Sequence, residues 1–268
     1  MDVPTRTPAT CYNRQTGMTS EAEQYRMTVE EIAARFGKEM IPVTSKFSYF
    51  STTPIAEEDL RQYLNDPVAA ISPAILAVLP RIGLLLAPYI EKGNGKDGGG
   101  DAVSFERPGD ARQVRCSRLD MEKTTILALG IKDIEVADYH YEFYNALAGV
   151  VAGRMPAEAQ ERFYRTLREE LSAEIHGEVD EKSWHLKQSL LRRQTNVRKE
   201  TKLFREYATQ AFIDTLTLYL HGTCCDIDVE TGPRQMPSRY LRRRLELLMN
   251  LFPPPEGYAV LPEQLKAR

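Results

Sequence analysis

The sequence predicts an α+β protein, predominantly helical, with a small antiparallel β-meander ahead of a C-terminal helical bundle or hairpin. Two observations carry this. Three short β-prone segments joined by turn residues lie between positions 102 and 131, and from Asp133 onward nearly every segment has helical spacing.

Taken in order, residues 1–22 are polar, Thr-rich and aperiodic, and read as a flexible tail. Thr28 stands before Val29, Glu30 and Glu31, an N-cap with acids in the first turn, and Gly37 marks the stop. Residues 46–51 are short and aromatic and predict a strand. A helix opens after Thr53 and Pro54 and runs to about residue 65, ahead of Pro67. Residues 71–90 are mostly apolar and have the length of a membrane span. Pro73, Pro80 and Pro88 each delete a backbone donor, and Arg81 near the centre costs ~2.5–3.5 kcal/mol on insertion scales. A buried, broken helix pair or a partner-facing hydrophobic surface is therefore expected there, and no membrane span.

Five glycines among residues 93–100 make a loop. Strands are expected at 102–107, 113–118 and 124–131, with Pro108, Gly109 and Asp110 supplying one of the turns. Helices follow at 133–152, 157–176, 181–221 and 238–251, with a loop at 222–236 and a stop at Pro253, Pro254 and Pro255. The organisation read from this is a tail at 1–22, a small α+β region at 23–131 containing the Gly-rich loop 92–101, and a helical region at 132–268.

Composition excludes several classes. With 268 residues, 27% charged and 42% hydrophobic, the chain is neither disordered nor collagen-like, and it can bury a sizeable core. A net charge of −3 and a pI near 5.9 do not suit a protein that binds nucleic acid over its whole surface. Cys11, Cys116, Cys224 and Cys225 are too few for a disulfide scaffold and are read as reduced thiols. The first residues lack a basic stretch followed by an apolar run, so a cytoplasmic location is expected.

All four histidines fall in the helical half. His176 and His221 each precede a glycine, which predicts helix C-termini where an imidazole meets the negative end of the dipole. His185 stands four residues after Glu181, the spacing of a surface ion pair. His140 shares a helical stripe with Val136, Phe143, Leu147 and Val151 and so points inward. Asp214 interrupts an apolar run; if surrounded, it needs a partner or a shifted pKa. His140 facing Asp214 across two helices is the His/carboxylate pair expected of a catalytic pocket.

Familiar motifs fail. The acids Asp226, Asp228 and Glu230 alternate like the first ligands of a calcium loop, but Thr231 and Pro237 occupy the positions of its glycine and final glutamate. His221, Cys224 and Cys225 are close in sequence, yet no second Cys/His pair stands at a familiar zinc spacing, and no metal or cofactor is assigned. Gly95-Lys96 is followed by Asp97, where a phosphate loop needs Ser or Thr.

The strongest anomaly is electrostatic. Residues 155–181 carry eight acids against three arginines, a net of −5, and residues 182–205 carry eight bases against Glu200, a net of +7. An antiparallel hairpin across Gly177 would set one beside the other and neutralise much of both. The excess of positive charge predicts an anion-binding surface made of Lys187, Arg192, Arg193, Arg198, Lys199, Lys202 and Arg205. The expectation is an interaction protein with a basic helical surface for an acidic protein or nucleic acid, self-associating through the apolar 71–90 segment. The alternative is an enzyme with a His140/Asp214 pocket, assisted by a metal.

Overall fold

The computed structural model describes residues 27–93, 99–192, 199–225 and 234–260. The expected tail, the acidic alternation at 226–230, and Arg193 and Arg198 lie outside them. The protein is α+β and mostly helical, as its periodicities indicate.

The chain opens with α1 (Val29–Phe36), closed by the expected cap: Thr28 Oγ1 accepts from the Glu31 amide while the Glu31 carboxylate accepts from the Thr28 amide. Next come β1 (Ile41–Pro42), β2 (Phe47–Ser51), α2 (Glu57–Leu60), a π-helical turn (Arg61–Asn65), α3 (Asp66–Ala69) and α4 (Pro73–Val78). Then follow β3 (Arg81–Ala87), β4 (Tyr89–Glu91), β5 (Ala102–Ser104), β6 (Gln113–Val114), β7 (Cys116–Asp120) and β8 (Thr124–Gly130). The helical half consists of α5 (Val136–Ala152), α6 (Ala157–Ser172), α7 (Glu181–Leu191), α8 (Lys202–Cys224) and α9 (Ser238–Leu251).

The apolar 71–90 segment is not a helix pair. After α4 it becomes β3, the central strand of a five-stranded sheet ordered β1-β2-β3-β8-β7, parallel to both β2 and β8. Leu84 and Leu86 pack into the larger core with Phe47, Leu127 and Leu129, while Leu85 and Ala87 meet Ile126 and Ala128 beneath α1. A strand buried on both faces has no polar side to alternate with, so its sequence reads as a continuous apolar run. From Ile82 to Ile90 the segment lies in the interior, while α4 keeps Pro73 and Ala77 exposed and Leu76 and Val78 half-buried.

Nor is there a simple meander. β4, β5 and β6 form their own antiparallel sheet in the order β5-β4-β6, whereas β7 turns back antiparallel onto β8 within the main sheet. Pairing with partners upstream of residue 92 decided this, and a local pattern of turns carries no record of it.

Among the described residues the helix expected at 181–221 forms α7 and α8, which pack against each other. α6 ends at Ser172, short of His176. Glu174 (φ 53°) and Gly177 (φ 76°) then turn the chain, so that Glu178 exchanges backbone hydrogen bonds with residues 234–236. A Cβ on Gly177 would lie 2.2 Å from the Gln235 carbonyl oxygen, so only glycine fits this crossing. One cluster of buried side chains runs from Phe47 in the sheet to Phe252 after α9.

Candidate functional site

Three constellations of polar groups stand out, and the first grows from a proline. Pro67 lies inside a helical stretch and lacks an amide, so the carbonyls one turn earlier lose their donor. The π-helical turn absorbs part of the misfit, and side chains from α5 take over the stranded carbonyls. The Tyr139 hydroxyl donates to Tyr63 O at 2.9 Å and His140 Nε2 lies 2.8 Å from Gln62 O; the Tyr144 hydroxyl donates at 3.0 Å to Pro67 O, which the end of α3 leaves open.

A carbonyl can only accept, so Nε2 of His140 carries the proton and Nδ1 presents its lone pair in the opposite direction. There it meets the end of α8. Nδ1 is 3.2 Å from Cys225 Sγ and 3.8 Å from Cys224 Sγ. The antiparallel register of α5 and α8, marked by Asn145 donating to Thr217 Oγ1 at 3.4 Å, brings position 140 to position 224. Neighbouring residues on a helix point about 100° apart. Cys225, however, is the C-cap with extended geometry (φ −130°, ψ 151°), and both sulfurs reach the same imidazole. His140 is buried and the two cysteines are half-buried.

The electrostatics follow from this contact. Burial disfavours a charged imidazole, but the Cys224 sulfur and the Gln62 carbonyl outweigh it and His140 is raised above its ordinary value. Burial likewise opposes a thiolate at Cys224, but the His140 and Tyr144 side chains overcome it and the thiol is lowered. Both shifts run towards a proton on nitrogen and negative charge on sulfur without deciding between the two forms.

Asp214 is elsewhere. It sits ten residues before Cys224 on α8, about 15 Å along the helix axis. It accepts from Gln210 Nε2 at 2.6 Å, and burial pushes its carboxyl up to about 6 against the pull of Ser183 and Gln210. The expected His140/Asp214 pair therefore does not form. Spacing on one helix said which face each residue occupies, but not which turns of two helices meet.

The other histidines divide. His185 lies 3.5 Å from Glu181 on the surface, at the expected spacing. His176 follows the end of α6, whereas His221 lies in the last turn of α8, at the negative end of the dipole as expected, although Gly222 continues the helix instead of ending it.

The second constellation is the charged stretch. Lys187, grouped with the anion-binding residues on sequence alone, is fully buried; its Nζ lies 3.1 Å from Glu178 Oε1 and donates to Gly177 O at 2.8 Å. Period 3.6 places it on the inner face of α7, where a lysine persists only with a carboxylate beside it. Lys182, Lys202 and Arg205 instead converge with one acid, Glu206, and with Leu186, Thr209 and Gln210 around an open groove of about 550 Å³ between α7 and α8. Lys202 and Arg205 reach Glu206 and Glu200 only at 3.8 and 3.7 Å and remain well exposed. Among the described residues no carboxylate lies within ion-pair distance of Lys182, Arg192 or Lys199.

The third constellation is buried charge that sequence reasoning missed. Arg244 of α9 contacts Glu170 Oε2 at 2.6 Å and Glu178 Oε2 at 2.8 Å, while the Tyr207 hydroxyl donates to Glu178 at 2.5 Å. With Lys187 this makes two cations against two carboxylates, all fully buried. The only sign in the sequence is that Arg244 and Glu170 stand among apolar positions of amphipathic helices. Nothing marks which acid meets which base.

Compared with protein-family models, curated proteins and solved structures, the chain matches none.

Proposed function

We propose that this protein binds an anionic segment of a macromolecular partner, an acidic protein stretch or a nucleic acid, along the cationic groove between α7 and α8. The supporting observation is that Lys182, Lys202 and Arg205 converge on one open groove against the single acid Glu206; Arg192 and Lys199 are exposed as well. Leu186 offers apolar contact at its wall. The surface pairs of Lys202 and Arg205 are long and exposed, the kind that contributes little and yields readily to a competing anion. In this reading the C-terminal helices act as a bundle that displays the α7–α8 hairpin, in a cytoplasmic setting that suits reduced thiols.

Fluorescence anisotropy with a labelled poly-glutamate peptide and, separately, a single-stranded oligonucleotide tests it. Binding to at least one probe is expected, weakening steeply between low and high salt. Exchange of Lys182, Lys202 and Arg205 for glutamate should weaken it by at least about 10-fold, since each lost contact is worth on the order of 1 kcal/mol. Absence of binding to both probes at low salt, or binding indifferent to the triple exchange, overturns the reading.

A further inference from the structure

We propose that His140, Cys224 and Cys225 form a zinc site at the end of the α5–α8 pair, independent of the cationic groove. One ligand atom from each of the three lies within 4.8 Å of the others. Tetrahedral zinc, with bonds of about 2.3 Å to sulfur and 2.0 Å to nitrogen, requires N···S separations of about 3.5 Å. The observed separations of His140 Nδ1 from the two sulfurs, 3.2 and 3.8 Å, fall on either side of that value. Seating the ion therefore asks only for small side-chain adjustments.

The surroundings of the imidazole have the form a metal ligand needs. The Gln62 carbonyl fixes the Nε2–H tautomer and the ring plane, leaving the Nδ1 lone pair aimed at the sulfurs; such outer partners commonly orient a ligating histidine. That carbonyl is available because Pro67 and the π-helical turn withdrew its helical donor. The local backbone irregularity and the histidine's orientation are thus one feature. Two thiolates and a neutral imidazole around a divalent cation sum to zero charge, which suits a largely buried position. Two soft sulfurs and one imidazole select zinc over calcium or magnesium, which take oxygen ligands.

Binding exchanges two S–H protons for two S–Zn bonds and adds an N–Zn bond, so protons are released and affinity falls as pH falls. Among the described residues three protein ligands are available, and the fourth tetrahedral position falls to water or a further ligand.

Cobalt is the probe. The full-length chain, reduced and stripped with chelator, is titrated with Co²⁺ without oxygen. A thiolate-to-cobalt charge-transfer band and tetrahedral visible bands are expected, saturating near one ion per chain and abolished by added Zn²⁺. Cys224→Ser and Cys225→Ser keep nearly the same volume. Each should weaken binding more than about 100-fold, beyond the upper range for losing an outer partner. Cys116→Ser and the triple exchange in the groove should leave the spectrum unchanged, which separates failure here from failure of the groove. Circular dichroism checks that each variant is folded. The proposal is overturned if the folded wild-type chain shows no thiolate band, or if the band survives in the Cys224→Ser/Cys225→Ser double variant. Closure of the two cysteines into a disulfide in place of metal uptake overturns it as well.

Discussion

At the scale of single residues, burial changes what a charged side chain means. Asp214 was recognisable as an anomaly because it breaks an apolar run, and the structure does bury it, with its carboxyl pushed up to about 6 from 3.8. Between those values the folded chain holds a proton that the unfolded chain has released. Stability therefore rises as pH falls through about 6 and is lost again on raising the pH. Asp214→Asn should be more stable than the wild type at about pH 8, by on the order of 2 kcal/mol, with the difference shrinking towards about pH 4. Urea unfolding across that range measures it, and a difference that does not vary with pH contradicts this account. Lys187 shows the opposite case. Its charge counted towards a basic surface in the sequence, yet its side chain is enclosed with Glu178.

Elements are held in place by contacts that no single element displays. Arg244 of α9 joins Glu170 of α6 to Glu178, while Glu178 also meets Lys187 of α7 and Tyr207 of α8. Four helices thus share one neutral cluster of buried charge. Replacing the whole set with apolar groups need not destabilise the fold, but removing one member leaves an uncompensated charge in the interior. Arg244→Met is expected to cost about 3–5 kcal/mol in denaturant unfolding, and a loss below about 1 kcal/mol would show that the carboxylates find other partners. The helices themselves were legible: Thr28 caps α1 as expected, and α9 spans the residues its period indicated. The break between α7 and α8 was not. No proline stands in that stretch, and the polar residues there suit an exposed helix as well as a turn.

Across the whole molecule, the cluster from Phe47 to Phe252 joins sheet and helices through shared side chains, with Leu84 and Leu86 of β3 in the same core as Phe143 of α5 and Phe212 of α8. A shared core predicts one cooperative transition. Far-ultraviolet dichroism and tyrosine fluorescence should give coincident denaturation curves, and two separated transitions would mean that the helical part is stable without the sheet. By itself the amino-acid order determined the α+β class, the Thr28 cap of α1, the inward face of His140 and the excess of positive charge after residue 181, because each depends on residues a few positions apart. Only the tertiary structure decided that β3 is a central parallel strand, that Lys187 is enclosed, and that His140 faces Cys224 and Cys225 instead of Asp214. Those outcomes depend on which surfaces meet across tens of residues. A periodic pattern fixes the side of a helix or strand that turns inward, but not the partner it will find there.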